Sequence, residues 1–502
     1  LNPRIIKFIL FLPFIISYIT KYDNAYGQEN IYLNSNNKSY LKNKTNQKKE
    51  KLKIGYNDIK NILINNNEDL KRYRSRINQS KSLIKSNKAA WFPKINLTSD
   101  QLPKFTTGDS TNKFSNNTST NLLSFGISTT LEWDLINPSR RLNISLASQD
   151  LDNNNYIYEE NLDNLYFEAQ QIFFEAQALS KEIEVAEEAL NVSNFALNEA
   201  QSRYETGVGN KMEVLEANLQ KEKDEISLEL TIANLRKKRN SFSKILNLNV
   251  DFLIVGDPYS PLIGFWNSSY EESLEEALKN SKSLKVNQNN LSMNKKRAKI
   301  KLSEKKPLVN LYNTFSVSSS KGETGVETPD LNKIAKTNTN TLGLKFSLQI
   351  FDGGKIKEEY NSIIEKNKEL ESDLNKEIIN LTNDLRNSYI DLNINEKRII
   401  NSFSQLKSAK DSLFISLKRL EAGLTTQREV VNLQRDLKAA ERNFITSISD
   451  YNILIAKLNN LTKLEGNKAC DKKDLNLETT SKEFIHFLEK NKIINCLNEK
   501  KS

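Results

Sequence analysis

One histidine, His486, and two cysteines, Cys470 and Cys496, are the only near-neutral or soft ligating groups of their kind in 502 residues. A Ser-His-Asp triad, a zinc site of His and Cys ligands, or a Cys/His nucleophile needs several such groups converging on one point. No enzyme activity, cofactor or metal is therefore expected. Both cysteines lie in the lysine-rich tail 466–502, where an oxidising compartment would allow one disulfide between them.

The chemistry that remains is charge and shape, so the elements that carry them come next. Apolar residues make up 37% of the chain and the mean hydropathy is −0.60. A polytopic helical membrane protein, with several apolar runs of about twenty residues, is excluded. Fifteen glycines and nine prolines are few for this length and predict long uninterrupted helices. The net charge of +10 raises nucleic-acid binding, but no recognition motif accompanies it and no nucleic-acid partner is expected.

Residues 1–27 read as a signal peptide: Arg4 and Lys7, an apolar run from Phe8 to Ile19, then Ala25-Tyr26-Gly27 before Gln28. An uncut N-terminal anchor is the alternative, and either implies export. Residues 28–53, with lysines from Lys38 to Lys53 and almost no apolar anchor, read as a disordered basic linker, either simply solvated or touching anionic lipid or peptidoglycan.

The remainder is an internal duplication. Tyr56 matches Tyr270, Leu70 matches Leu284 and Pro93 matches Pro307, each 214 positions on; Gly126 matches Gly343 at 217. Arg203-Tyr204-Glu205-Thr206-Gly207 aligns with Arg419-Leu420-Glu421-Ala422-Gly423 at 216, followed by Glu213-Val214 and Glu429-Val430. Such constancy marks two copies of one unit. The first repeat is assigned to 54–250, a linker to 251–269, and the second repeat to 270–465.

Each unit reads as helix, strand, polar loop, strand, long helix, tight turn, long helix. A helix over about 55–91 ends at Pro93, and strands follow around 94–103 and 122–135. Phe125, Ile127, Thr129, Leu131 and Trp133 alternate with polar or small residues, as do Leu342, Leu344, Phe346, Leu348 and Ile350. That is the period of a strand with one apolar and one wet face. The segments 104–121 and 320–340, rich in Ser, Thr, Asn and Gly, read as exposed loops. Leu162, Leu165, Ala169, Ile172 and Ala176 begin a coiled-coil seam that predicts a helix over 139–205, returning over 212–246 after Gly207 and Gly209. Helices near 355–421 and 427–463 repeat it around Gly423. Four half-apolar strands cannot close a barrel alone, and lipid does not tolerate open edges. Three copies would pool twelve strands. A soluble sheet buried against helices is the alternative, opposed by Glu132, Asp134, Lys345 and Gln349 on the other face.

This arrangement resembles the TolC-like outer membrane efflux proteins over about residues 54–465. The most specific pieces are Leu342–Gly354, whose Phe351-Asp352-Gly353-Gly354 is similar to a family signature, and the two tip motifs; Asn137-Pro138 fills the place of that signature in the first unit. The resemblance implies a mainly α fold with β: two tandem repeats of long antiparallel coiled-coil helices, plus four strands joining a trimeric twelve-stranded outer-membrane β-barrel above a periplasmic helical tunnel. It implies a passive exit duct of a tripartite efflux pump or type I secretion system. The partners would be its own copies as a homotrimer, a periplasmic adaptor, an inner-membrane transporter and outer-membrane lipid. Glu429, with Glu213 and Glu216 in the first unit, would form an acidic ring at the tunnel entrance. Arg203, Tyr204, Gly207, Arg419, Leu420, Gly423 and Thr425 would face the adaptor. Leu420 and Thr425 stand where some relatives carry a tyrosine and an arginine that latch the entrance. A soluble periplasmic coiled-coil adaptor or structural protein is the competing reading, since the helices alone fit it.

Overall fold

Both repeats place a strand hairpin between a short helix and a long helical hairpin. The computed structural model describes residues 52–111, 113, 117–248, 252–254, 262, 264–464 and 487, and the fold lies in the unit Lys53–Ser502. The segment read as a signal peptide, nearly all of the segment read as a basic linker, and Cys470 and Cys496 with the disulfide suggested between them lie outside the described residues. In the first repeat the elements are α1 (Ile59–Asn66), α2 (Glu68–Ala89), β1 (Lys94–Ser110), β2 (Thr118–Ile136), α3 (Arg140–Glu205) and α4 (Lys211–Leu246). In the second they are α5 (Tyr270–Asn280), α6 (Lys282–Ser303), β3 (Leu308–Val326), β4 (Ile334–Ser347), α7 (Lys355–Glu421) and α8 (Gln427–Thr462).

The helix read over 55–91 is two helices, broken at Asn67. Its backbone is extended (φ −65°, ψ 126°), and its Oδ1 accepts from the Leu70 N–H at 3.0 Å. Its Nδ2 donates to the Ile245 carbonyl at 2.7 Å, so α2 begins where α4 ends. The second repeat builds the same junction from Ser281, which caps α6, and Asn280, which donates to the Thr462 carbonyl at the end of α8 at 3.4 Å. Capping satisfies backbone donors that a continuous helix would not expose.

The two long helices, α3 with 66 residues and α7 with 67, each span about 100 Å. Near the sheet α3 packs between α2 and α6; toward the tips it packs between α4 and α8. Each repeat has its own core where short and long helices meet. Ile59, Phe173, Phe174 and Phe242 form one; Trp266, Leu385, Tyr451 and Leu458 form the other. Each such side chain contributes about 1.5–3 kcal/mol on burial. Trp266 donates its indole N–H to the Tyr389 hydroxyl at 2.7 Å, so the polar edge of the buried ring is satisfied.

The four strands form one antiparallel sheet in the order β1-β2-β3-β4. They are longer than the alternation suggests. The segments 104–121 and 320–340, read as loops, are strand up to Ser110, from Thr118, up to Val326 and from Ile334. Their polar side chains do not prevent ladder pairing, because the backbone bonds are the same whichever residues carry them. At the other end β4 stops at Ser347, so Leu348 and Ile350 lie beyond it. Register places Ile95, Leu131, Asn313 and Leu342 in one row, and Lys94, Glu132, Tyr312 and Gly343 in the next. Phe125, Ile127, Trp133, Leu311, Phe315, Val317, Leu344 and Phe346 therefore share one face. Ser128, Thr130, Thr314, Ser316, Thr341 and Lys345 share the other. Among the described residues no helix is long and apolar enough to cross a membrane.

Candidate functional site

Two places are built alike in both repeats: the helix tips and the strand hairpins of the sheet. At the first tip, Gly207 has φ +78°; its N–H bonds the Tyr204 carbonyl at 3.1 Å, and Val208 N–H bonds the Arg203 carbonyl at 2.9 Å. At the second, Gly423 has φ +69°, with Gly423 N–H to Leu420 O at 2.9 Å and Leu424 N–H to Arg419 O at 2.8 Å. Both are Schellman turns, which need a left-handed residue and so favour glycine. The chain then restarts on a side-chain cap: Asn210 Oδ1 accepts from Glu213 N–H at 3.0 Å, and Thr426 Oγ1 from Glu429 N–H at 3.4 Å. Glu213 and Glu429 thus occupy the same third position of α4 and α8, where a carboxylate also favours the helix N-terminus.

The acidic residues at the tips differ in what they touch. Glu429 accepts a hydrogen bond from the Thr425 hydroxyl, and Glu213 one from Asn210 Nδ2 at 3.4 Å. Glu216 is paired with Arg428, whose Nε donates to Oε2 at 3.2 Å and whose Nη2 donates to Oε1. That pair ties the first helical hairpin to the second. Two more follow up the same side: Lys438 to Asp224 at 3.0 Å, and Arg442 to Glu182 at 3.1 Å. The Glu182 carboxyl is pushed up by burial, against the opposing pull of Arg442. Sequence reading missed this basic edge of α8. Its signal is Arg428, Lys438 and Arg442 at intervals of ten and four residues, facing carboxylates of the other repeat. Among the other tip residues, Arg419 Nη2 donates to the Leu424 carbonyl at 3.5 Å, and Lys211 lies 5.4 Å from the Tyr204 ring centroid. Leu420 offers only its backbone carbonyl to the turn. A groove of about 910 Å³ opens between the hairpins above the tips, bordered by Val192, Phe195, Lys223, Arg435 and Leu417.

The strand-to-helix turns are also equivalent. Asn137 Oδ1 accepts from the Ser139 N–H at 3.1 Å before α3, with Pro138 between them. Asp352 accepts from the Ile356 and Gly354 N–H groups, both at 2.9 Å, and these hold its carboxyl below the usual range. Gly353 and Gly354 have φ +66° and +88°, the conformation that turns the chain into α7.

In the sheet, the large apolar side chains on the shared face are not covered. Leu97 is 71% exposed, Leu342 70% and Phe346 65%. On β2 apolar residues alternate with polar or small ones from Leu123 to Leu135, thirteen residues of a strand of nineteen. A tilted strand needs about nine to eleven to cross the hydrocarbon of a bilayer. The outer membrane efflux protein profile matches residues 60–248 and 273–466, one match per repeat. The chain belongs to that family. Solved structures agree on the fold. The CmeC channel of Campylobacter jejuni superposes with a TM-score of 0.67 at 13% identity, over 88% of this chain and 90% of that one. VceC of Vibrio cholerae gives 0.64 at 14%, over 81% and 96%. The outer-membrane channel OprN gives 0.65 at 14%, over 82% and 90%. None of the curated proteins matches the chain by sequence. Members of this family are outer membrane efflux channels, not enzymes.

Proposed function

We propose that three copies of this chain close their sheets into a twelve-stranded barrel in the outer membrane, continuous with a periplasmic tunnel of long helices. The observation that carries this is the pair of open, apolar sheet edges. Among the described residues β1 and β4 each pair on one side only, and an open edge facing lipid leaves backbone groups unsatisfied. β1 and β4 point in opposite directions, so β4 of one copy meets β1 of the next antiparallel. The helices repeat the argument. Met212, Leu215, Leu219, Ile226 and Leu230 form an exposed stripe on α4 at one edge, while Ile390, Ile394 and Phe414 are exposed on α7 at the other.

The protein acts as the passive exit duct of a tripartite efflux pump or type I secretion system. An inner-membrane transporter supplies the energy, and a periplasmic adaptor docks at the tips, on Arg203, Tyr204, Gly207, Arg419, Leu420, Gly423 and Thr425. Glu429 and Glu213 line the entrance as an acidic ring favouring cations, as rings of charge do in other pores. Glu216, held by Arg428, ties the hairpins together there. Planar-bilayer conductance tests this reading. The purified chain is expected to conduct and to be blocked by multivalent cations, with block weakened about tenfold in Glu429→Gln, a loss of roughly 1.4 kcal/mol of ion binding. Unchanged block removes the ring. A protein that stays in water as an elongated monomer and never conducts favours a soluble adaptor instead.

A further inference from the structure

At the boundary between the sheet and the helices, six cations stand exposed: Lys88, Arg141, Lys305, Lys306, Lys355 and Lys357. None of them is in an ion pair among the described residues, although carboxylates are close by. Those carboxylates are already engaged. Glu304 holds Lys301 at 2.8 Å and Glu359 holds it at 2.5 Å. Asp352 caps α7 through two backbone N–H groups, and Glu358 accepts from Asn361 at 3.2 Å. With Lys301 included, seven cations face these four carboxylates, so the level is net positive. The opposite ends of the strands differ: residues 104–121 and 321–340 carry five lysines against four carboxylates.

Aromatic side chains share the cationic level. Phe92 is 70% exposed and Phe351 87%. Trp91 and Trp133 are knotted together there: Trp133 Nε1–H donates to the Trp91 carbonyl at 2.9 Å, and the Arg140 guanidinium lies 4.3 Å over the Trp91 ring. Arg140 also donates to the Asp134 carbonyl, which fixes the stack. Rings of this kind settle where hydrocarbon meets headgroups, with lysine and arginine reaching outward to phosphate. The belt is continuous with the uncovered apolar face above it.

We propose that this rim is a binding belt for anionic phospholipid headgroups in the leaflet nearest the helices, fixing the depth at which the sheet sits. The proposal rests on the reading of the sheet as part of an outer-membrane barrel. Its chemistry is phosphate held by lysine and arginine beside interfacial rings, on one rim of the sheet only.

Lipid retention tests it. The full chain is purified from an equimolar mixture of phosphatidylglycerol and phosphatidylcholine, and the lipid it keeps is measured. A fourfold variant, Lys305→Gln, Lys306→Gln, Lys355→Gln and Lys357→Gln, is compared with it, alongside the double change Lys305→Gln, Lys306→Gln. Tryptophan quenching by lipids brominated on their acyl chains is read in parallel; Trp91 and Trp133 report the rim, and Trp266, 1% exposed, is the buried reference. The native chain is expected to enrich phosphatidylglycerol, and the fourfold variant to lose about fivefold or more of that preference while remaining quenched. Equal retention of the two lipids by the native chain, or an unchanged preference in both variants, overturns the belt. Loss of quenching in the native chain overturns the barrel reading, and the belt with it.

Discussion

Tyr312 and Gly343 show how one residue pair shapes the polar face of the sheet. They are register partners on β3 and β4, and a Cβ built on Gly343 would lie 2.6 Å from the Tyr312 hydroxyl oxygen and 2.7 Å from Cζ. The ring lies over the bare backbone, so glycine, ordinarily unfavourable inside a strand, is the residue that fits. Gly343→Val is expected to destabilise the protein by about 1–3 kcal/mol through overpacking. Adding Tyr312→Ala should recover most of that loss, as read by thermal unfolding of the single and double variants. Equal losses in the single and double variants would mean that the ring is not the obstacle. The alignment of Gly126 with Gly343 was visible as a repeat, but its cause was not. The neighbour that needs the glycine sits on another strand, and no local pattern names it.

The helices were nearly all legible in the sequence, because their seams repeat every three to four residues and their ends carry Gly207, Gly423, Pro138 and Gly354. The strand ends were not. Period-two alternation reports a strand only while one face is apolar; beyond Leu122, and from Ser318 to Gly325, the residues on both faces are polar or glycine, and the pattern disappears although the ladder continues. Asn67 was hidden for a related reason. Its Oδ1 caps the Leu70 N–H locally, but the partner that anchors its Nδ2, the Ile245 carbonyl, is 178 residues away. Of the candidate site, the tip and turn motifs were legible as motifs, and the pairing of Glu216 with Arg428 was not. The element scale also sets a pH dependence. Where α3, α7, the end of α8 and the start of α6 meet, Glu160 and Asp163 face Glu377, Asp384, Lys463 and Lys282 around a polar cavity of about 290 Å³. Burial, and then repulsion from Glu377, raises the Glu160 carboxyl above 4.5, while Lys463 opposes the shift. A carboxyl raised on folding binds its proton more tightly in the folded state. It therefore costs stability at neutral pH, a cost removed as the pH falls through the folded value toward 4.5. Glu160→Gln should raise the melting temperature at pH 7 and lessen the gain seen on acidification. A melting temperature that falls at pH 7 would show that the charge is compensated.

At the scale of the whole molecule, low hydrophobicity and the proposed membrane role are compatible because the sheet has four strands and one apolar face. The same economy leaves two edges open, and the arrangement of β1 with α4 on one edge and β4 with α7 on the other favours head-to-tail closure of a ring. The lysine excess in 28–53 and 466–502 lies outside the repeats, so the net charge does not describe the duct. Closure across β1 and β4 is the claim on which the account depends, and cysteine crosslinking in the native membrane tests it most directly. With Cys470 and Cys496 replaced by serine, one cysteine is placed at Leu97 and a second, in separate variants, at Leu342, Leu344 or Phe346. Oxidation is predicted to give a ladder ending at a covalent trimer for at least one of these registers, and none when either cysteine is present alone. A product that stays monomeric in all three registers would contradict the shared barrel.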